Sequence, residues 1–256
     1  MSLDADVSVV ITCFNYGRYV DQAIRSVLNQ TVSPREIIVI DDGSTDDSRD
    51  VIRQFGDRVV LHAKSNTGVV DTKNLGLVLA AGEWIIFLDA DDRLHAGYVQ
   101  RTLTAALETG AALVYTDMTF FGAEHGRIRS RPFNPLLLAR GNYIHNSALM
   151  KRRVVAQVGG YKPAMAAGFE DWELYLTLSE HRVRATWVGE SLLSYRRHED
   201  AGRDARARQQ QHDIVQLIKS LHPRLYTRRR RLLGFFLATK DYPRRRLRSR
   251  TEVQRK

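Results

Sequence analysis

The pattern of apolar and polar positions changes period several times within the first 115 residues. Residues 7–11 are a continuous apolar run broken only by Ser8, as in a strand buried on both faces. Val20, Ala23, Ile24, Val27 and Leu28 then recur at i, i+3, i+4, i+7 and i+8, one face of an amphipathic helix. Residues 37–40 give the next strand pattern. Ser44 or Thr45 is placed to cap a following helix, with Asp46 and Asp47 favourable in its first turn. A short strand at 59–61, a helix over 69–81 stopped by Gly82, a strand at 84–88, a helix over 98–107 and a strand at 112–115 complete the series. Strands alternating with helices predict an α/β fold around a mostly parallel, doubly wound sheet.

After Thr116 the pattern becomes irregular. Residues 136–138, 147–150 and 154–158 are short apolar pieces, 172–178 reads as helix, and 183–188 and 192–195 read as two strands. A helix returns over about 203–221, with Ile214, Leu217, Ile218 and Leu221 on one face and Pro223 beyond its end. No internal repeat is present in the sequence.

Charge divides the chain differently. Of 39 Lys and Arg and 29 Asp and Glu, residues 228–256 hold 12 basic and two acidic, leaving 27 of each sign in residues 1–227. The net charge of +10 therefore belongs to the tail, and the basic balance describes the tail's partner, not the body's ligand. The single cysteine, Cys13, excludes an intramolecular disulfide framework and favours a reducing compartment such as the cytoplasm. No leader pattern opens the sequence, and no apolar run approaches the ~20 residues that span a bilayer. A hydrophobic content of 43% supports a substantial core.

In open α/β sheets, ligands lie beyond the carboxyl ends of the strands. Three predicted strands end in polar clusters there: Thr12-Cys13-Phe14-Asn15, Asp41-Asp42-Gly43-Ser44 and Asp89-Ala90-Asp91-Asp92. Asp-Gly-Ser alone is also an ordinary turn and cap. The Asp89 cluster is either a solvated acidic loop or a set of repelling carboxylates relieved by raised pKa values or by a metal. Hard oxygen ligands would favour Mg²⁺ or Mn²⁺, which bridges phosphate oxygens and neutralises a leaving diphosphate. Neither G-x-x-x-x-G-K-[ST] nor G-x-G-x-x-G occurs, so a metal would have to replace those phosphate loops. Glu170 and Asp171 open a predicted helix, where acids are favourable for the helix dipole alone or serve as a general base. His198 follows a predicted strand and reads either as a surface residue or as a further metal ligand.

In order and spacing these pieces resemble the inverting family 2 glycosyltransferases of GT-A fold. The matching run is V-S-V-V-I-T-C-F-N, I-I-V-I-D-D-G-S-T-D, N-T-G with K-N-L-G, F-L-D-A-D-D, G-G-Y with F-E-D-W, and Y-R-R-H, from residue 7 to 198. The resemblance implies that Thr12, Phe14 and Asn15 line the base pocket and that Asp42 hydrogen-bonds the base, usually uracil. It implies that Asn66 and Lys73 contact the nucleotide and its phosphates and that Asp89 meets the ribose. Asp91, with Asp92 and His198, is implied as the Mn²⁺ or Mg²⁺ site, Asp171 as the catalytic base and Glu170 as its helper. The implied reaction is a single in-line displacement with inversion, from a nucleotide-diphosphate sugar such as a UDP-sugar to a saccharide or lipid-linked saccharide acceptor. The implied organisation is a catalytic body over 1–202, nucleotide-binding over 1–115 and acceptor-side over 116–202, followed by a basic helical extension over 203–256. Two departures stand out: Cys13 and Phe14 replace a usual proline and tyrosine, and Lys73 stands where arginine is common. A phenyl ring still stacks on a base, whereas lysine lacks the bidentate fork.

The tail alternates basic clusters, 228–231 and 244–246, with the apolar residues Leu232, Leu233, Phe235, Phe236 and Leu237. It reads as a helix packed on the body or as a peripheral contact with an anionic membrane on its cytoplasmic face. Nucleic acid is disfavoured because no binding motif or aromatic interleaving is present. Two rival functions stay open at this level. One is a phosphohydrolase of haloacid dehalogenase type, which also ends a strand in Asp-x-Asp. The other is a catalytically silent sugar-nucleotide or membrane-binding module.

Overall fold

The chain's apolar runs and its helical stripes become a single mixed sheet with helices on both faces. The computed structural model describes residues 5–198 and 211–227, together with Leu233, Phe235 and Leu237. In chain order the elements are β1 (Ala5–Cys13), α1 (Gly17–Leu28), β2 (Pro34–Asp42), α2 (Ser48–Arg53), β3 (Val60–Lys64), α3 (Val69–Leu79), β4 (Trp84–Asp89) and β5 (Arg93–Leu94). They continue as α4 (Tyr98–Thr109), β6 (Leu113–Gly122), β7 (Gly126–Ile128), α5 (Pro135–Leu138), β8 (Leu149–Lys151), α6 (Arg152–Gln157), α7 (Glu170–Glu180), β9 (Ala185–Arg197) and α8 (Gln211–Leu221).

The strand order is β3-β2-β1-β4-β8-β6-β9-β5, with β7 added to β6. β1 pairs in parallel with both β2 and β4, and β2 with β3, as strands joined by helical crossovers must. β1 is buried on both faces: Val7, Val9 and Ile11 enter the core beneath α1 and α4, while Val10 enters the core beneath α3 and α7. Ser8 interrupts the run without leaving a polar gap. Its hydroxyl donates to Glu36 Oε1 at 2.5 Å and accepts from the Gly82 amide at 2.9 Å. α3 can lie close on the sheet because residue 76 has no side chain; a Cβ there would stand 2.6 Å from Val10 Cγ1.

Several expected boundaries move. α2 begins at Ser48, and Ser44 and Thr45 serve the neighbouring loop: the Asn15 amide donates to Ser44 Oγ at 2.9 Å and the Thr45 amide to Asn15 Oδ1 at 2.8 Å. α3 ends at Leu79, and Gly82 is a close-approach residue against Ser8, not the helix stop. The segment after Thr116 is more regular than its pattern suggests. β6 continues to Gly122, and the two strands expected at 183–195 are the single strand β9, parallel to β6. β6 pairs with β9 from Leu113 to Gly122 and with β7 at 118–120. β8 runs antiparallel to both neighbours and joins β4 to β6.

The helix expected from residue 203 is described from Gln211. Residues 203–210 and the tail, apart from Leu233, Phe235 and Leu237, lie outside the described residues. α8 buries Ile214 and Ile218 in the core of the second face. Just beyond it, His222 is held between two carboxylates of α7, with Nε2 3.0 Å from Glu173 Oε1 and Nδ1 2.8 Å from Glu180 Oε2. No helix among the described residues is long and apolar enough to cross a membrane.

Candidate active site

β1, β2 and β4 are adjacent and parallel, so their carboxyl ends form one edge carrying Thr12, Asp42 and Asp89. Thr12 and Asp89 are register partners, and the threonine hydroxyl donates to Asp89 Oδ1 at 3.1 Å. Asn146 Nδ2 donates to the same oxygen at 3.3 Å from the loop before β8. Phe14 projects from the end of β1 at 44% exposure, unusual for a phenyl ring and suited to stacking on a flat ligand. Asn15 adopts a left-handed backbone, φ 56°, which turns the chain into α1. Beneath this loop the Cys13 thiol is pushed up to about 11 by burial, so it is an inert core residue.

Asp42 is more committed than the resemblance implies. Its carboxylate accepts from the amides of Thr67 and Gly68, each at 2.9 Å, and from the Lys64 ammonium. It clamps the 64–68 loop, and of about four lone-pair sites one is left for a base. Asn66 stands exposed on that loop, with its amide packed over Gly43, where φ is 79° and a Cβ would meet Asn66 N at 2.6 Å.

The three carboxylates beyond β4 diverge. Asp91 Oδ2 lies 2.7 Å from His198 Nε2. Burial first, and then the charge of Asp89, push the Asp91 carboxyl up. Asp92 is 3% exposed, accepts the Arg196 amide at 2.8 Å, and is pushed well up by burial, Asp91 and Asp89. Asp92, expected beside Asp91 as a metal ligand, has one carboxylate oxygen engaged by the Arg196 amide and so also ties the loop to β9. Arg196, which sequence reasoning passed over, completes the tie. Its Nε donates to the Asp91 carbonyl at 3.0 Å, and its guanidinium lies 4.3 Å from the centroids of both Tyr19 and Phe121. Tyr16 and Tyr19 also flank the His198 ring, at 5.9 and 5.3 Å between centroids.

These residues suit a divalent cation in a limited way. Asp91 and His198 bring an oxygen and a ring nitrogen within 2.7 Å of each other, and a cation bound by both would take the place of the proton they share and relieve the crowded carboxylates. No group of three or more His, Cys, Asp or Glu among the described residues is arranged to hold a metal. An ion held by these two side chains would complete its shell with ligand oxygens and water, as Mg²⁺ sites commonly do.

α7 supplies the second acidic point. Phe169, at φ 60°, makes a left-handed turn that starts the helix at Glu170. The two acids separate at once. Glu170 is buried and pairs with Lys73 Nζ at 2.7 Å, and Lys73, 1% exposed, also donates to Asn146 Oδ1 at 2.6 Å. Lys73, expected at the phosphates, and Glu170, expected to help the base, meet each other in this structure, as a buried carboxylate on α7 is matched by a cation from α3. Asp171 is half-buried. Its Oδ1 accepts from the Trp172 amide at 2.7 Å and its Oδ2 from Asn142 Nδ2 at 3.2 Å. Asn142 and Asn146 carried no sequence signal. Their roles come from a loop whose conformation no periodicity encodes.

Residues 8–171 match the sequence profile described as Glycosyl transferase family 2, well over half of the chain. The chain belongs to glycosyl transferase family 2. Its architecture is the family's GT-A fold, so the haloacid dehalogenase alternative falls. A PGL/p-HBAD biosynthesis glycosyltransferase of Mycobacterium bovis is 28% identical over 160 residues, 60% of this chain and 62% of the relative. The structure of S. aureus TarS 1-349 with UDP-GlcNAc superposes with a TM-score of 0.66 at 16% identity, covering 78% of this chain and 60% of that one. The mannosyltransferase PcManGT of Pyrobaculum calidifontis, in complex with GDP-Man and Mn²⁺, superposes with a TM-score of 0.64 at 17% identity, covering 86% and 65%. The chain spans 31%, 58% and 62% of the lengths of three curated relatives it matches.

Proposed function

We propose that this family 2 chain is a metal-dependent, inverting glycosyltransferase that moves a sugar from a UDP-sugar to an acceptor hydroxyl. The observation that carries the reading is the pairing of Asp91 with His198, 2.7 Å apart, beyond the strand end that presents Asp89. Asp91 and His198 would hold Mn²⁺ or Mg²⁺, which when bound supplies positive charge to a leaving diphosphate. Phe14 offers its face to the base, with Thr12 and Asn15 around it, and Asp89 is left to meet the ribose. Asp171 accepts the proton of the acceptor hydroxyl as its oxygen bonds to the anomeric carbon. The bond from that carbon to the diphosphate breaks on the opposite face, and the configuration inverts.

The acceptor side draws support from the relative named for PGL/p-HBAD biosynthesis. We place the acceptor among saccharides or lipid-linked saccharides of cell-surface polysaccharide or glycolipid synthesis. The basic tail, with Leu233 and Phe235 exposed, suits peripheral attachment to the cytoplasmic face of an anionic membrane, at ~1 kcal/mol per basic residue near the surface. Vesicle co-sedimentation of the full chain against one ending at Thr227 tests this; equal binding would sink it.

The main test is nucleotide release. A panel of UDP-sugars, with GDP-mannose alongside, is incubated with and without Mn²⁺. Mn²⁺-dependent release of UDP, lost in Asp91→Ala, is the expected result. Hydrolysis of simple phosphomonoesters with no nucleotide release would overturn the reading.

A further inference from the structure

We propose that Asn142 and Asn146 are a pair of positioning residues on one rigid loop, the first holding the base Asp171 and the second holding the donor-side carboxylate Asp89. The inference rests on the reading of Asp171 as the base.

The orientation of each amide follows from its partners. A backbone N–H and an ammonium only donate, while a carboxylate only accepts. Asn142 Oδ1 accepts from the Ile144 amide at 3.1 Å, which leaves Nδ2 to donate to Asp171 Oδ2 at 3.2 Å. Asn146 Oδ1 accepts from Lys73 Nζ at 2.6 Å, which leaves Nδ2 to donate to Asp89 Oδ1 at 3.3 Å. Reversing either amide would place like against like at both ends.

The loop between them is fixed from below. His145 is 6% exposed, and its Nε2 accepts the Thr116 amide at 3.2 Å. The Tyr175 hydroxyl donates to the carbonyls of His145 and Asn146, at 2.9 and 3.2 Å. A rigid loop carrying both contacts sets the distance from base to donor, and small errors in such a distance are costly in rate. Among the described residues, the charged and titratable groups around Asp171 include Glu170 and, through it, Lys73, with the phenols of Tyr161 and Tyr175. Both phenols are pushed well up, first by burial and then by the surrounding carboxylates, so they stay neutral.

The test separates the two asparagines by what each changes. The full chain is assayed for Mn²⁺-dependent release of UDP from UDP-GlcNAc, or of GDP from GDP-mannose if that is the donor turned over, across pH. Asn142→Ala should lower kcat about 10-fold or more with the donor KM unmoved. Its acidic limb should move to higher pH, because the carboxylate loses a donor that favours its charged form. Asn142→Asp, of equal size, should move the limb further. Asn146→Ala should raise the donor KM about 10-fold and leave the limb in place. A limb unmoved in both Asn142 variants, while Asp171→Asn is inactive, overturns this inference alone. Full activity in Asp171→Asn overturns the base assignment and this inference with it. Thermal melts of each variant establish that it is folded, and the size-matched Asn142→Asp keeps the test decisive if the alanine variant is not.

Discussion

The two parts of the candidate site are held in different ways. At the ends of β1, β2 and β4, candidate side chains project from adjacent parallel strands, and the topology alone brings them to one edge. After β6, the candidate side chains arrive on unlike elements: Asp171 on the first turn of α7, His198 past the end of β9, Asn142 and Asn146 on a loop. There a side-chain network does the aligning, through Lys73 to Glu170, Asn146 to Asp89 and Arg196 to the Asp91 carbonyl. A strand end is a consequence of fold class, whereas a network is a consequence of individual residues. The second part should therefore be the more fragile to single substitutions.

The largest expected effect tests that fragility directly. Lys73→Met should cost about 3–5 kcal/mol, because it takes the ammonium 2.7 Å from Glu170 away from a buried carboxylate. Pairing it with Glu170→Gln should recover part of the loss. Chemical denaturation of the two variants measures both, and a loss under 1 kcal/mol in Lys73→Met would show that the network is dispensable.

Acid should strike the same region next. Burial pushes the His145 imidazole down to about 4 from 6.5, so the folded loop holds it neutral while the unfolded chain takes up a proton. The stability this contributes is complete above pH 6.5 and is lost as pH falls toward 4. About 3 kcal/mol is at stake over that interval. Denaturation midpoints measured at pH 7 and near 4.5 should show the drop, and His145→Gln should flatten it.

The smallest effect belongs to the strand-end part. Phe14→Ala should leave stability unchanged, since the ring is exposed, and weaken nucleotide binding by about 1 kcal/mol through lost stacking. Titration calorimetry with UDP and Mn²⁺ checks it. An effect as large as that of Lys73→Met would erase the contrast between the two parts.

The same contrast explains what the sequence made legible. The strands and helices of the first 115 residues follow from periodicity, and the clusters at residues 12, 42 and 89 follow from strand ends. Asp91 and His198, adjacent in space and 107 residues apart, could be joined from sequence by family resemblance and not by spacing. The burial of Asp92 and Lys73 was not legible, because sequence carries charge and not burial. At 3% and 1% exposure they also serve the structure around the site. Asn142 and Asn146 were invisible for the converse reason: an amide in an irregular stretch has no pattern until the loop around it is placed, and Arg196 stood in the Y-R-R-H run with no role until β9 was placed.

The three residues of β8 also bear on the order in which the protein assembles. β4 is one of the two outer strands of the first four, and five of its six residues are buried. The strand that pairs with Trp84 and Ile85 on its free edge begins at Leu149, some 60 residues later in the chain. As the protein emerges from the ribosome, the first parallel strands carry an open, apolar hydrogen-bonding edge until β8 is synthesised. Chains interrupted before Leu149 should pair through that edge with one another. The short antiparallel strand thus closes the sheet against aggregation at the moment it delivers the 142–146 loop to the site.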